Sequence, residues 1–476
     1  MSSLMFVKKH AFYCARNFGS QSYKKVRIKD ILQGRKNNES ADVQGWTRSV
    51  RKMKNHVFVD INDGSTAQNI QLVMSKDLFD RRVQFGTSIS VRGKIQQSIQ
   101  NEKNKYEILC DDLDVLGTYA EDAPLKKNAS YDMQHLRSLL HLRMRHYKMA
   151  GVLRARNCVE MAMHKFFQEK GFLHIHTPIL TSSDCETGGN VFSVQPDQID
   201  EQESSDSSED FFGAPAFLSV SGQLHLEACA MGMGDVYTLS PAFRSEKSHT
   251  RKHLNEFRML EAELAHSKDL ADMVNLMESS VKYLLQELLL NCSLDLATIE
   301  KDSPGHLSKL EKVASKQYVI MSYTEAIELL EKHQKHLQTA SPSWGEDLNS
   351  DHETFLVQHC DSTPVFIVDF PSCSKPFYMP VNSDGKTVAA VDLIFPEVGE
   401  LCGGSLRESD LDKLTSRLTA LGLLPAYEWY LDLRRYGNTP HAGYGMGFDR
   451  FVTFALDIRN IRDAVPFPRY KNSCVL

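Results

Sequence analysis

Residues 236–263 read VYTLSPAFRSEKSHTRKHLNEFRMLEAE, and this stretch decides the predicted fold. Two segments with apolar residues flank a polar turn, which predicts a pair of antiparallel strands. Arg244 follows the first strand, where it is suited to a bidentate contact with a phosphate. Glu246 comes two residues later on the same face and can accept a hydrogen bond from an adenine amino group.

The second predicted strand adds an aromatic ring to this set. Phe257 is flat enough to stack on a purine, and His253 comes four residues earlier, near the outer phosphates of a nucleotide. An ordinary charged hairpin contains the same residue types. The hairpin alone therefore leaves both interpretations open.

A second segment, residues 441–450, reads HAGYGMGFDR. Gly443, Gly445 and Gly447 let the backbone approach a ligand closely, and Arg450 follows at the predicted start of a helix. A Gly-x-Gly-x-x-Arg pattern is weak evidence by itself.

Together the two segments resemble motifs 2 and 3 of the class II aminoacyl-tRNA synthetases, which bend ATP between two arginines. Residues 148–171 have helical apolar spacing and lead into Thr177 and Pro178, which resembles motif 1, the dimer-forming helix and strand of that class. The resemblance implies an α+β fold with a class II antiparallel sheet flanked by helices, the use of ATP, and a homodimer formed through motif 1.

Six further segments narrow the resemblance to the asparaginyl-tRNA synthetases of bacterial or organellar type. They are HLRMR (141–145), TSSDCETGG (181–189), SVSGQLHLEA (219–228), DGKTVAAVDL (384–393), GELCGGSLRE (399–408) and WYLDLRRYGNTPHAG (429–443). Too few residues separate motifs 2 and 3 for the large extra domain of bacterial aspartyl enzymes. The chain departs from the bacterial asparaginyl pattern at Leu406, where a glutamine is usual, and at Asp449, where a glutamate is usual.

The composition bounds the remaining possibilities. The chain has 476 residues, 42% of them hydrophobic and 24% charged, which is typical of a soluble globular protein with two or three domains. No apolar run is long enough to span a membrane. The ten cysteines include no Cys-x-x-Cys pair, which argues against a zinc site and a disulfide framework and favours a reducing compartment.

The N-terminal part of the chain is basic. Residues 1–120 contain 20 Lys and Arg against 12 Asp and Glu, while the rest of the chain contains 35 against 49. Residues 1–25 have basic residues, serines and aromatics but no acidic residue, which predicts a transit peptide and the mitochondrial matrix; a disordered basic arm that touches RNA is the alternative.

Residues 26–116 alternate apolar and polar positions in five short segments, which predicts a small barrel of the oligonucleotide-binding (OB) type, with a helix over residues 75–84. A polar linker over residues 117–137 and a catalytic domain over residues 138–476 follow. An acidic stretch at about 195–213 is predicted to be a surface insertion, either a plain loop or a lid.

The resemblance implies roles for individual residues. The barrel would bind the anticodon of tRNA, with Phe58 stacking on a base, Gln71 contacting a base edge, and phosphates met by Arg48, Arg51, Lys52 and Lys54. Phe58 could equally be barrel core. Arg244 and Arg450 would neutralise the reacting phosphate, and Asp392 and Glu400 would bind Mg²⁺, or form structural salt bridges instead.

The amino-acid pocket is the remaining part of the predicted site. In the aspartyl relatives a lysine occupies the position of Leu226. Arg407 is expected to donate to the side-chain carbonyl of L-asparagine, with Glu227 repelling a carboxylate and accepting from the amide. Glu186 and Gln223 are expected to bind the α-ammonium.

The expected activity is therefore ligation of L-asparagine to tRNA(Asn). Three rivals are left open: an aspartyl enzyme, including one that does not discriminate between the two amino acids; a ligase paralogue with another acceptor; and an inactive RNA-binding paralogue.

Overall fold

The computed structural model describes residues 23–34, 38–98, 106–127, 129–182, 191–195, 211–247 and 250–476. Almost all of the predicted leader, residues 1–25, and most of the predicted acidic insertion, 195–213, lie outside the described residues. The chain divides into two compact units between Ser130 and Tyr131, within the predicted linker.

The first unit is a barrel. Its elements are β1 (Lys24–Lys25), α1 (Ile28–Leu32), β2 (Ser40–Lys52), β3 (His56–Asn62), β4 (Ile70–Ser75), β5 (Ser88–Gln97) and β6 (Tyr106–Gly117). The strands are ordered β1-β2-β3-β4-β6-β5, and β2 also pairs with β5, so the five long strands close on themselves. The predicted OB barrel is confirmed.

Alternation of side chains builds the barrel core. Val57, Val59 and Ile61 of β3 point inward and are almost fully buried. Gly45 allows the close approach of strands where β2 changes partners, because a Cβ there would lie 2.9 Å from the Asn62 carbonyl oxygen.

The predicted helix over residues 75–84 is wrong. Ser75 ends β4, and Asp80 then accepts a hydrogen bond from the Arg82 backbone N–H at 2.8 Å, which favours a turn over a helix.

The second unit contains the remaining elements. Its strands are β7 (Leu173–His174), β8 (Leu180–Thr181), β9 (Ser193–Val194), β10 (Ala216–Leu218), β11 (Val236–Phe243), β12 (Glu256–Ala265), β13 (Val319–Ser322), β14 (Val365–Pro371), β15 (Thr387–Phe395), β16 (Gly399–Leu406) and β17 (His441–Gly447). Its helices are α2 (Met133–Ser138), α3 (Tyr147–Glu169), α4 (Gln223–Met233), α5 (Leu270–Asn291), α6 (Ser293–Asp302), α7 (His306–Ser315), α8 (Tyr323–Lys332), α9 (Ser350–His359), α10 (Leu411–Ala420), α11 (Glu428–Arg435) and α12 (Phe448–Ala455).

An eight-stranded sheet is the centre of this unit. Its order is β13-β14-β15-β16-β17-β12-β11-β7. The six central strands are antiparallel, as predicted, whereas β13 and β7 at the two edges run parallel to their neighbours. The sheet is therefore mixed, and helices flank it in an α+β arrangement.

The two faces of β12 separate the core from the site. Leu260 and Ala262 are buried in the core cluster that contains residues of α3 and α5. Phe257, Met259 and Glu261 alternate with them and line a cavity on the opposite face. The alternation of residues along β12 thus places one set of side chains in the hydrophobic core and the other set in the cavity wall.

Helix α3 confirms the helical spacing predicted for residues 148–171. Its apolar residues Val152, Val159, Met163 and Phe166 are buried. Tyr147 on the same helix is exposed.

Within the described part of the chain, none of the helices is long and apolar enough to cross a membrane.

Candidate active site

The hairpin of β11 and β12 presents the first half of the site. Arg244 follows β11, and the carbon of its guanidinium lies 5.5 Å from the centre of the Phe257 ring. The Asn255 side-chain amide donates to the carbonyl oxygens of Arg244 at 2.6 Å and Glu246 at 3.0 Å. Asn255, which was not singled out from the sequence, therefore fixes the backbone that bears both predicted nucleotide ligands.

Strand β17 and helix α12 present the second half. Ala442, Tyr444 and Met446 belong to the core, whereas Gly445 and Gly447, which alternate with them, line the cavity; Gly443 does not line it. A Cβ at Gly443 would collide with the Glu263 carboxylate, so this glycine makes room for a buried acid rather than for a ligand.

Arg450 is brought to β16 at the start of α12. It is the third residue of this helix, and its Nη1 donates to the Glu400 carbonyl oxygen at 2.5 Å. Both Arg244 and Arg450 line a single cavity of about 330 Å³. Two arginines that are far apart in sequence thus meet at one concave site.

Most of the predicted ligands of the catalytic unit line this cavity. They are Arg244, Glu246, His253, Phe257, Glu400, Gly445, Gly447, Arg450, Gln223, Arg407 and Asp392. Glu186 lies outside the described residues. Glu227 lies within the part of the chain that the structure describes, but it does not line the cavity.

Glu227, which was predicted to accept directly from a substrate amide, lies in a buried network. It is fully buried, and its Oε2 accepts from Tyr430 at 2.6 Å, His441 at 3.0 Å and Arg434 at 3.1 Å. Its Oε1 accepts from Gln223 at 3.0 Å. Both oxygens thus accept hydrogen bonds from protein groups, and Gln223 and Arg407, two of the neighbours of Glu227, line the cavity.

Arg407 joins this buried network to the cavity. Its Nη2 donates to Glu263 at 2.5 Å, and its Nε lies 3.8 Å from Glu227. Burial alone would lower the pKa of Arg407, but the charges of Glu263 and Glu227 outweigh burial and raise it. Burial and the Glu227 charge raise the pKa of Glu263 to about 7, against the opposing charge of Arg407.

Ligand atoms of Glu227, Glu263 and His441 lie within 4.8 Å of one another, as in a metal site. Arg407 and Arg434 already pair with these carboxylates. The cluster is therefore an ion-pair network that fixes one guanidinium at the cavity wall.

Asp392 and Glu400 fit a divalent cation. A Cβ at Gly403 would lie 2.9 Å from Glu400 Oε1 and 3.3 Å from Asp392 Oδ1, so both carboxylates converge on the space that this glycine leaves open. Burial, with a contribution from the Glu400 charge, raises the pKa of Asp392 to about 6, and Lys375 opposes this shift with an ion pair at 2.7 Å. Hard oxygen donors crowded in this way suit Mg²⁺.

Several cavity residues were not predicted from the sequence. Glu261, Glu263, Lys252, Lys375, Tyr378 and Ser221 all line the cavity. Glu261 and Glu263 continue the period-two alternation that begins at Phe257, so the sequence pattern of this strand could have predicted that both face the cavity. Lys375 follows β14 in a loop, where no periodicity marks it.

The two departures from the family pattern have clear surroundings. Asp449 is buried, accepts from the Arg258 backbone N–H at 2.8 Å and pairs with Arg156. Leu406 is half-buried against the main core. Asp449 is thus anchored by its own partners, and Leu406 packs as an apolar residue.

Three of the predicted anticodon residues, Phe58, Arg51 and Gln71, lie next to one another on the barrel. Phe58 alternates with the inward residues of β3 and is absent from the core cluster. The Arg51 guanidinium carbon lies 5.8 Å from the centre of the Phe58 ring, and Arg51 Nη2 donates to Gln71 at 2.5 Å. Gln71 is buried and also donates to Glu107 at 3.0 Å, while Arg48 sits half-buried at a register shift of β2.

Comparison with known proteins agrees with this geometry. The family model described as tRNA synthetases class II (D, K and N) matches residues 132–471, and the model described as OB-fold nucleic acid binding domain matches residues 41–116. An asparaginyl-tRNA synthetase of Mus musculus is 42% identical over 457 residues, which cover 95% of this chain and 94% of the relative.

Two further relatives bear on the assignment. The probable mitochondrial asparagine–tRNA ligase of Dictyostelium discoideum is 39% identical over 461 residues, with 94% of this chain and 97% of the relative covered. The crystal structure of asparaginyl-tRNA synthetase from Pyrococcus horikoshii complexed with asparaginyl-adenylate superimposes with a TM-score of 0.81 at 30% identity, and covers 95% of this chain and 99% of that one. The chain belongs to the class II aminoacyl-tRNA synthetases and, within them, to the asparaginyl-tRNA synthetases.

Proposed function

We propose that this enzyme activates L-asparagine with ATP and transfers it to tRNA(Asn) in the mitochondrial matrix. The observation that carries the proposal is the convergence of Arg244 and Arg450 on one cavity that Phe257 also lines. A nucleotide stacked on Phe257 would have its phosphates within reach of both guanidinium groups.

The first step needs no protein nucleophile. A carboxylate oxygen of asparagine attacks the α-phosphorus, the bond to the bridging oxygen breaks, and pyrophosphate leaves with the electron pair. Arg244 and Arg450 neutralise the charge that develops on the phosphorus. Asp392 and Glu400 would hold Mg²⁺, which when bound supplies further positive charge to the phosphates.

The amino-acid pocket favours a neutral side chain. Arg407 donates to the asparagine carbonyl, while Glu227 and Glu263 fix its guanidinium and add negative charge beside the pocket. An aspartate side chain would bring another carboxylate into this desolvated surrounding, at a penalty on the order of several kcal/mol. Gln223 and Glu186 are assigned to the α-ammonium, together with Glu261, a buried carboxylate in the cavity wall.

The second step joins the activated amino acid to tRNA. The terminal ribose hydroxyl attacks the adenylate carbonyl, its proton is lost, and AMP leaves. The barrel supplies recognition of the anticodon: Phe58 stacks on a splayed-out base, Gln71 contacts a base edge, and Arg51 and Arg48 meet phosphates.

Dimer formation and location complete the proposal. Large apolar side chains are exposed in or near motif 1, at Tyr147, Met161, Leu173, Ile179 and Leu180. This exposure supports a homodimer that forms through the motif 1 segment. The acid-free composition of residues 1–25 supports import into mitochondria, as does the similarity to a probable mitochondrial ligase of Dictyostelium discoideum.

Amino-acid-dependent pyrophosphate exchange, followed by charging of matched tRNAs, tests the proposal. Asparagine is expected to support both reactions, and aspartate neither. Exchange with aspartate in place of asparagine would select the aspartyl alternative. Binding of tRNA without exchange for any amino acid would identify an inactive paralogue.

A further inference from the structure

Helix α9 lies outside all three class II motifs and contacts Lys252, a residue of the cavity wall. Its first residue, Ser350, accepts a hydrogen bond from Lys252 Nζ at 2.8 Å. Glu353 comes one turn later on the same helix. A Cβ at Gly399 would collide with Glu353 Oε2 and come within 3.5 Å of Lys252 Nζ, so both groups flank this glycine.

Lys252 belongs to a crowded set of cations. It lines the cavity together with Arg244 and Arg450. Lys252, Arg450 and Ile461 also line an adjoining cavity of about 380 Å³, which contains neither Phe257 nor Glu246. Lys252 therefore lies at the end of the site that is remote from the purine, where the outer phosphates of ATP would lie.

Like charges that line one cavity repel one another, and a nearby carboxylate reduces this repulsion. Glu353 supplies this carboxylate. Burial and the charge of Glu400 raise the pKa of Glu353 to about 7, whereas Lys252 and Arg450 act in the opposite direction, as expected of close cations. Burial lowers the pKa of Lys252, and the charge of Glu353 opposes that shift.

Glu353 is absent from the lining of the cavity, so it acts through the cations rather than on the nucleotide. We propose that Glu353 is a positioning residue, which together with Ser350 holds Lys252 against the outer phosphates of ATP and of the pyrophosphate product. This inference rests on the proposed asparagine activation, because it assigns a partner group within that same site.

The test separates contacts to the outer phosphates from contacts to the rest of the adenylate. The variant is Glu353→Gln, which preserves shape and removes charge. Two quantities are measured: the KM values for ATP and pyrophosphate in asparagine-dependent exchange, and the Kd of a non-hydrolysable asparaginyl sulfamoyl-adenylate, which has no outer phosphates. We expect both KM values to rise about tenfold while the Kd of the analogue stays within about twofold.

Further variants control for misfolding. Ser350→Ala should raise the same KM values about threefold, since it removes one neutral acceptor. Lys252→Ala should match or exceed the loss in Glu353→Gln, and Lys252→Arg should recover part of it. Asp351→Asn is the matched control on the same helix, because Asp351 accepts from the backbone of Gln338 and Thr339 and should leave both KM values unchanged.

Several results would overturn the inference. Unchanged KM values in Glu353→Gln would do so, as would an equal loss of affinity for ATP and the analogue, which a collapsed site would produce. Recovery of Glu353→Gln by raised Mg²⁺ would make Glu353 a metal ligand instead. Absence of asparagine-dependent exchange in the wild-type enzyme would reject the proposed function and this inference together, whereas normal wild-type exchange with an unaffected Glu353→Gln rejects the inference alone.

Discussion

Replacement of Glu227 by glutamine tests the buried network beneath the amino-acid pocket. Glutamine keeps the shape of the side chain and one carbonyl acceptor, which can serve Tyr430, His441 and Arg434 where Oε2 now does. The new amide would then face the Gln223 amide, which can rotate to present its oxygen. Most hydrogen bonds therefore survive, and the main loss is the charge.

The magnitude follows from the pairing of the remaining groups. Arg407 and Arg434 are both buried, and in the variant Arg407 keeps its pair with Glu263, whereas Arg434 loses the charge of Glu227, the carboxylate with which it pairs. Breaking a buried pair by removing one charge costs about 3–5 kcal/mol, and the retained hydrogen bonds reduce this to about 2–4 kcal/mol. Because Arg407 loses one of the acids that fix it, selection of asparagine over aspartate should also weaken.

The pH dependence has a definite sign. Burial works against ionisation of Glu227, but the His441 hydrogen bond and the charges of Arg434 and Arg407 lower its pKa below the usual range. A carboxylate with a depressed folded-state pKa stabilises the protein above its unfolded-state pKa, and this contribution is lost only as the pH falls through the folded-state value. The contribution of the Glu227 charge itself should therefore persist from about pH 8 to about pH 5, while Glu263, whose pKa is raised to about 7, takes up a proton over the same range.

Urea unfolding measures the stability difference, and pyrophosphate exchange with asparagine and aspartate measures the selectivity. Glu428→Gln provides the control, because Glu428 forms an exposed pair with Arg435 and should leave both quantities unchanged. A Glu227→Gln variant that unfolds at the wild-type urea concentration and discriminates as well as wild type would refute this role for the network.

Three other predictions follow from the site and the barrel. Arg244→Ala and Arg450→Ala should each lower kcat/KM for exchange by about 10³-fold with little change in stability, because each removes a preorganised donor at the reacting phosphate; exchange near the wild-type rate would contradict the assignment. Phe58→Ala should reduce tRNA charging while leaving exchange within about twofold, and equal losses in both would make Phe58 a structural residue. Mg²⁺ should raise the melting temperature of the nucleotide-free enzyme more at about pH 8 than at about pH 5, because protons compete with the cation for Asp392, whose pKa is raised to about 6; a shift independent of pH would remove Asp392 as a metal ligand.

The spacing of apolar residues and glycines along the sequence predicted the strands of the barrel, the hairpin of β11 and β12, and the helix that bears Arg450. The alternation in β12 and the glycines of β17 were sufficient to place the hairpin and the arginine helix, because period-two spacing assigns each side chain to a face. The barrel strands were predicted on the same grounds. The helix expected over residues 75–84 failed because Asp80 stabilises a turn there.

The local sequence pattern could not have predicted that Glu227 is buried. Its position on α4, four residues after Gln223, is compatible with a side chain that faces the cavity. The carboxylate of Glu227 is buried because Tyr430 and Arg434 donate hydrogen bonds to it. Both residues belong to α11, about two hundred residues later in the chain. Long-range contacts of this kind leave no periodic signal in a single sequence. The same holds for Glu353, whose relation to Lys252 depends on the packing of α9 beside β16.

The central claim is that two arginines, distant in sequence, bind one nucleotide. A crystal structure with asparagine and a non-hydrolysable ATP analogue tests it most directly. The account predicts that the guanidinium groups of Arg244 and Arg450 both lie within hydrogen-bond distance of the phosphates, with the adenine stacked on Phe257. Guanidinium groups that point into separate cavities would contradict it.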